Sequence, residues 1–330
     1  MGTQRYLLGK LVRLVITLFF VITFTFFLFH VLMPGDPVTT FLRQAGAKYS
    51  PAQIDSLRHR FGLDQPVFPN QYIRYIKDTA TFHMGYSTFQ YPGTAVSHIY
   101  WSRMGKSLIL ITTSTIASIV LGVLMGIYGG WRRGGRADNG SMASSLILYA
   151  MPEFVLGMIL LLLFAKRLQW FPAGGFDSRP KTNYTGFSYI VDVGNHMVLP
   201  WLTLMLAYLG EFYLVMRSSL LDVLGEEYIT LARAKGVREK YVLRRHAVRN
   251  ALLPTVTLIA LSFGFILGGV ITVEIVFSYP GVGLLSYQAL QSRDFPILQA
   301  TFLFATIGVL LANLIADLTY GYLDPRVRRA

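Results

Sequence analysis

Six apolar stretches, each long enough to cross a bilayer as a helix, recur along this chain and leave few folds open to it. A hydrocarbon core about 30 Å thick needs roughly 20 apolar residues in an α-helix. The stretches lie near 14–33, 107–128, 142–164, 197–215, 252–275 and 297–318. Lipid offers no hydrogen bonds, so the backbone of each must satisfy itself, which a helix does and an open strand does not. The expected fold is an all-α membrane protein with six transmembrane helices. Composition agrees: charged residues are only 14% of the 330, against roughly 25% in a soluble domain. The first stretch follows Arg5, Lys10 and Arg13. It exceeds the roughly 7–15 apolar residues of a signal-peptide core, so it reads as a retained helix.

Basic residues set the orientation. The net charge is +13, and Lys and Arg collect between apolar stretches rather than on one soluble face, which argues for membrane topology and against nucleic acid. Arg132, Arg133 and Arg136 follow the second stretch, Arg217 to Arg249 holds eight basic residues after the fourth, and Arg326, Arg328 and Arg329 end the chain. With six spans these share a side with the N-terminal arm, so both termini are expected inside. Arg103, Lys106 and the basic residues of 166–181 run against the pattern. The expected divisions are an arm and first helix over 1–33, an external segment over 34–102, and a five-helix core over 103–330 with a cytoplasmic loop at 217–251. Within the external segment, Ser50 and Pro51 predict a helix start, with Ile54, Leu57 and Phe61 at helical spacing and Gly62 as its end. Residues 70–76 predict a second short helix.

The loop at 217–251 holds the most informative string. Glu227-Tyr228-Ile229-Thr230-Leu231-Ala232-Arg233-Ala234-Lys235-Gly236 predicts a helix stopped by a glycine in the left-handed conformation. A second helical pattern then begins at Val237. Small on one side and basic on the other, this elbow suits another protein's groove, with the alanines allowing close approach. A basic loop lying on anionic lipid is the other reading, and the residues alone leave both open.

The string resembles the EAA signature of permeases of ATP-binding-cassette importers. With Arg245-His246-Ala247 and Asn250-Ala251-Leu252-Leu253-Pro254 it is similar to the dipeptide/oligopeptide/nickel permease family, in its first-permease branch. Collinear matches are Leu32-Met33-Pro34-Gly35-Asp36-Pro37, Phe61-Gly62-Leu63-Asp64-Gln65-Pro66, Met151-Pro152-Glu153, Phe171-Pro172-Ala173-Gly174-Gly175 and Glu274-Ile275-Val276-Phe277-Ser278-Tyr279-Pro280-Gly281. The outer loop 176–195 departs from the pattern. The resemblance implies a type I importer permease fold with both termini inside and a small external domain after helix one. It implies coupling roles for Glu227, Ala232, Arg233, Ala234 and Gly236 in a cleft of a separate ATPase. The implied partners are a second, homologous permease, two ATPase subunits or domains that bind ATP and Mg, an external solute-binding protein and lipid, in the inner membrane of a prokaryote. The implied cargo is a peptide, with nickel, haem or oligosaccharide as alternatives.

The chain itself is expected to be no enzyme and to carry no cofactor or metal. Gly105-Lys106-Ser107 ends like a phosphate loop, but Tyr100 stands where its first glycine belongs. No Cys is present, and six scattered His show no metal spacing. Ionisable residues within apolar helices are costly and often functional. Glu153, Glu274 and Asn313 are the pore-lining candidates; Glu211 lies within a few turns of an expected helix end, and Asp317 reads more simply as reaching the interface. Gly264, Gly268 and Gly269 fit small-residue packing against a second permease or within this chain. An ion-coupled secondary transporter is the rival class, and the internal repeats common in that class are not evident.

Overall fold

A computed structural model describes residues 3–32, 50–61, 64–178, 186–264 and 270–323. Among these the fold is helical, and the only β-feature is an isolated bridge between Tyr86 and Ala95. The helices are α1 (Thr3–Phe27, prolonged by a π-turn Leu28–Leu32), α2 (Pro51–Phe61), α3 (Tyr72–Ala80), α4 (Val96–Trp131), α5 (Arg136–Ala150), α6 (Glu153–Leu160, prolonged over Leu161–Arg167), α7 (Gly186–Leu224), α8 (Glu227–Ala234), α9 (Val248–Gly264), α10 (Ile271–Val276), α11 (Val282–Ser292) and α12 (Phe295–Leu323).

Three of the described helices, α4, α7 and α12, are long and apolar enough to cross a membrane, and α5 with α6 makes a fourth if that bent pair is one span. The third apolar stretch is expected as one helix over 142–164. It folds instead as α5 and α6, bent by 106°. Pro152 disfavours helical geometry in the residue before it, and Met151 is extended at φ −84°, ψ 127°. α7 is longer than its apolar stretch, so the outer loop expected at 176–195 is helical from Gly186 on. The fifth stretch is helical over α9 and α10, with 265–269 outside the described residues.

The described chain divides into two compact units. In the first, Met1–Lys106 is joined by Leu267–Ile271 and Gly281–Leu310. α2 starts as the sequence predicts: Ser50 N–H donates to Gln53 Oε1 at 2.9 Å, and Gln53 N–H reaches Ser50 Oγ at 3.4 Å. This reciprocal box satisfies donors that a helix start leaves free. The expected stop at Gly62 lies outside the described residues, as do 33–37 of the Leu32–Pro37 string. Aromatic rings fill the core. Phe26 packs on Tyr72 and Tyr75, Phe29 on Phe295 and Phe302, and Tyr100 stacks on Phe304 at 4.3 Å between centroids. Asp294, fully buried after α11, receives donors from Ser87, Thr88, Phe89 and Gln90.

The second unit comprises Ser107–Ile266, Thr272–Pro280 and Leu311–Ala330. Its helices meet through glycines. Gly122, Gly126 and Gly129 recur at spacings of four and three, on one face of α4. A Cβ at Gly122 would stand 2.7 Å from Phe212 Cβ, and one at Gly126 2.8 Å from Met216 Cβ and 2.9 Å from the Tyr213 carbonyl. On α7, Gly210 makes the same close approach to Ser145 and Tyr149 of α5. The sequence reading looked for small-residue packing at Gly264, Gly268 and Gly269, and the last two lie outside the described residues. The stripe that packs here is on α4. Gly126→Ala is expected to destabilise the protein by about 1–3 kcal/mol, because a rigid backbone and not a flexible side-chain tip blocks the new methyl. Tryptophan-fluorescence melting in detergent checks this; an unchanged midpoint contradicts the packing.

Candidate docking elbow

The string 227–236 folds as a capped elbow. Glu226 is extended and its carbonyl accepts from Ile229 and Thr230 N–H, so α8 begins at Glu227, whose carboxylate favours the positive end of the helix. The stop is a complete Schellman arrangement. Gly236 takes φ +75° and its N–H donates to the Arg233 carbonyl at 2.9 Å, while Val237 N–H reaches the Ala232 carbonyl at 3.3 Å. Both orphan carbonyls are thereby satisfied. The sequence expectation of a left-handed glycine is met, and nothing stands within 4 Å of a Cβ built there, so the backbone angle alone demands glycine.

Beneath the elbow lies an apolar core. Ile229 and Ala232 of α8 are buried with Met216 and Leu220 of α7, Val242 and Ala247 of the π-turn Val242–Ala247, and Ala251 of α9. Val237 packs against the same cluster, supplying the hydrophobic contact that accompanies this type of helix end. Ala232, which the resemblance puts in a cleft of the ATPase, has its methyl turned inward in this chain, 9% exposed. The apolar side of α8 has to be seated on α7, and only a small residue lets it lie that close. The outward face is Glu227, Tyr228, Thr230, Leu231, Arg233, Ala234, Lys235 and Gly236.

Polar contacts stiffen that outward face. Arg233 Nε donates to Glu239 Oε1 at 3.1 Å, and its guanidinium lies 5.9 Å from the Trp131 ring centre. Asn250 Nδ2 donates to Tyr228 Oη at 2.8 Å. Exposed pairs of this kind contribute little stability each, but together they hold both arms of the elbow. Arg217, counted among the basic residues of this loop, does not belong to the exposed face: it is paired with buried Asp138, Nε to Oδ1 at 2.7 Å. The sequence reading did not single out Asp138, because a lone carboxylate among arginines resembles a solvated one.

The pore-lining candidates differ in burial. Glu274 is fully buried and accepts from Ser107 Oγ at 2.7 Å. Glu153 is half-buried at the start of α6, hydrogen-bonded by Tyr208 and Thr272. Asn313 is exposed on α12, and the Asp317 side chain lies outside the described residues. Two of the collinear strings do meet. Gly175 N–H donates to the Phe277 carbonyl at 2.9 Å, a Cβ at Gly174 would overlap that carbonyl, and Phe176 packs edge-on against Tyr279. Among the described residues no group of three His, Asp or Glu is placed to share a metal ion.

Long apolar helices, packed through glycine and joined by a stiff basic elbow, define a helical integral-membrane protein. The chain belongs to the family of binding-protein-dependent transport system inner membrane components, which it matches over residues 118–329, with the N-terminal part of such membrane components matched over 3–116. It is a permease subunit of an ATP-binding-cassette importer. Over 321 residues it is 36% identical to a putative peptide permease protein of Brucella ovis, covering 97% of this chain and 96% of that one. It is 33% identical over 323 residues to a probable peptide ABC transporter permease protein of Sinorhizobium fredii, covering 98% and 99%. Identity to the glutathione transport system permease protein of Escherichia coli K12 is 35% over 323 residues, covering 98% of each.

Proposed function

We propose that the chain forms half of the path of an ATP-driven peptide importer and that the elbow 227–236 receives force from a separate ATPase. The observation that carries this reading is the elbow's build: Ile229 and Ala232 anchor it in the chain's own core, while Tyr228, Leu231, Ala234 and Gly236 stay exposed on a helix stopped at Gly236. A rigid knob with an apolar tip transmits a push, whereas a loop lying on lipid needs neither a capped end nor a buried base. Glu227, Arg233, Ala234 and Gly236 meet the ATPase, and Ala232 acts beneath them by fixing their height on α7. The ATPase subunits bind the ATP and Mg.

The path has six spans with both termini in the cytoplasm, as the basic residues set it, in the plasma membrane of a prokaryote. Residues 34–102 lie outside, where a solute-binding protein delivers cargo. A homologous second permease supplies the other half of the path, and Glu153 and Asn313 lie along this chain's half. Peptide cargo is supported by the names of the relatives from Brucella and Sinorhizobium.

The chain has no Cys, so Leu231→Cys introduces a single thiol at the exposed tip. A maleimide carrying a photoreactive benzophenone is expected to join it, on illumination, to the ATPase subunit in membranes of the assembled transporter. Labelling of Leu231→Cys by a membrane-impermeant maleimide added to intact cells puts the elbow on the wrong side and ends the proposal. The cargo is checked by the ligand that the purified external binding protein retains, a di- or oligopeptide if the reading is right.

A further inference from the structure

Asp138 is a fully buried carboxylate that the elbow itself does not use. Its oxygens are divided between α7 and the turn that precedes α5, all in the second unit. Arg217 of α7 meets it with both arms, Nε to Oδ1 at 2.7 Å and Nη2 to Oδ2 at 2.8 Å. Gly134, in the turn between α4 and α5 at φ +80°, donates its N–H to Oδ2 at 2.9 Å. Tyr213 Oη donates to Oδ1 at 3.3 Å and shares a 3.0 Å hydrogen bond with Ser141 Oγ. Gly129 of α4 leaves room for the group, since a Cβ there would stand 2.8 Å from Tyr213 Oη and 2.9 Å from Asp138 Oδ1.

The same turns of α7 also carry the elbow. Met216 and Leu220 lie in the core that seats α8, while Tyr213 and Arg217, each four residues apart like the first pair, form the neighbouring ridge that grips Asp138. A push on α8 therefore reaches residues 213–220, and from there the ion pair leads to α5. A buried ion pair is weak evidence for stability, because desolvation offsets its attraction; fixing registry is its better-attested use. The two-armed geometry suits that use, since it fixes angle as well as distance.

We propose that Asp138 is a positioning residue: through Arg217 it locks α5 to the end of α7, so that displacement of the elbow moves α5, and the bend at Met151–Pro152 beyond it, as one body. This rests on reading 227–236 as the ATPase-docking elbow. Without the lock, nucleotide would still move the elbow and α7, but α5 would slip against them and the bend would stay behind.

Spin labels on cysteines test this in the assembled transporter. A pair at Ser144 and Asp222, both exposed, reads the α5–α7 separation, and a single label at Lys235 reports on the elbow. MgATP with vanadate is compared with the nucleotide-free state. In the wild type the Lys235 signal is expected to change while the Ser144–Asp222 distance holds. In Asp138→Asn/Arg217→Gln, which keeps neutral hydrogen bonds and leaves no unpaired charge, that distance is expected to shift with nucleotide by roughly 2 Å or more, the scale of helix displacements in switching proteins. Asp138→Asn alone is expected to shift in the same direction. A changing Lys235 signal with a fixed distance in both variants overturns the lock alone, even if both are less stable. A Lys235 signal indifferent to nucleotide in the wild type overturns the docking reading and the lock with it.

Discussion

Gly236→Pro is expected to abolish uptake while leaving the chain in the membrane at normal abundance. Proline holds φ near −65° and has no N–H, whereas Gly236 sits at φ +75° and donates to the Arg233 carbonyl. The substitution thus breaks both the turn and the bond that ends α8, a local cost of about 3 kcal/mol or more by analogy with proline in a helix. Nothing crowds the position, so the effect comes from the backbone alone. Graded variants follow from that: Gly236→Ala should cost about 1–2 kcal/mol, the penalty for a side chain in the left-handed region, and Gly236→Asn less, because asparagine tolerates that region. The apolar helices are unaffected, so insertion persists. Uptake of a radiolabelled dipeptide, normalised to membrane abundance by immunoblot, and co-purification of the ATPase subunit read the result. A proline variant that transports at the wild-type rate removes the elbow from the mechanism.

Asp294→Ala is expected to lower the stability of the first unit by about 3 kcal/mol or more, since hydrogen bonds to a charged group contribute roughly 1.5–3 kcal/mol each and several would be left unmade. The carboxylate is fully buried and gathers Ser87 Oγ at 2.5 Å, Phe89 and Gln90 N–H at 3.0 Å each, Thr88 N–H at 3.3 Å and Thr88 Oγ1 at 3.4 Å. Ser87 Oγ in turn accepts from Tyr91 N–H. One side chain therefore organises the whole turn 87–91, and alanine removes the acceptor that its donors share. Asp294→Asn should be intermediate, since its amide nitrogen can only donate where the turn also donates. Melting of the purified protein and the rate of protease cleavage within 85–95 measure the effect. A melting point within one degree of wild type for Asp294→Ala rules out the anchoring role.

Sequence reasoning reached the elbow and missed this anchor, for physical reasons. The string at 227–236 announces itself because helix, stop and restart follow from local conformational preference, above all glycine's access to positive φ. Asp294 gives no such signal. The partners that make Asp294 important lie about 200 positions earlier. Asp138 was equally silent, with Arg217 79 positions away. The Gly174 and Phe277 strings were each recognised, yet nothing in either says that they touch.

From the sequence alone came what one helix decides for itself: that apolar runs of this length must be helical in lipid, that Ser50 starts α2, that Gly236 ends α8, and that the chain resembles an importer permease. Tertiary structure decided which side of each helix faces inward. It turned Ala232 into the core, bent the third apolar stretch at Pro152, set the glycines of α4 against α7, and buried Asp138, Glu274 and Asp294 among partners far along the chain. The reason is that backbone angles and hydropathy act within a few residues and can be read in order. The partner of a buried charge is chosen by packing, and packing brings together residues that the sequence keeps apart.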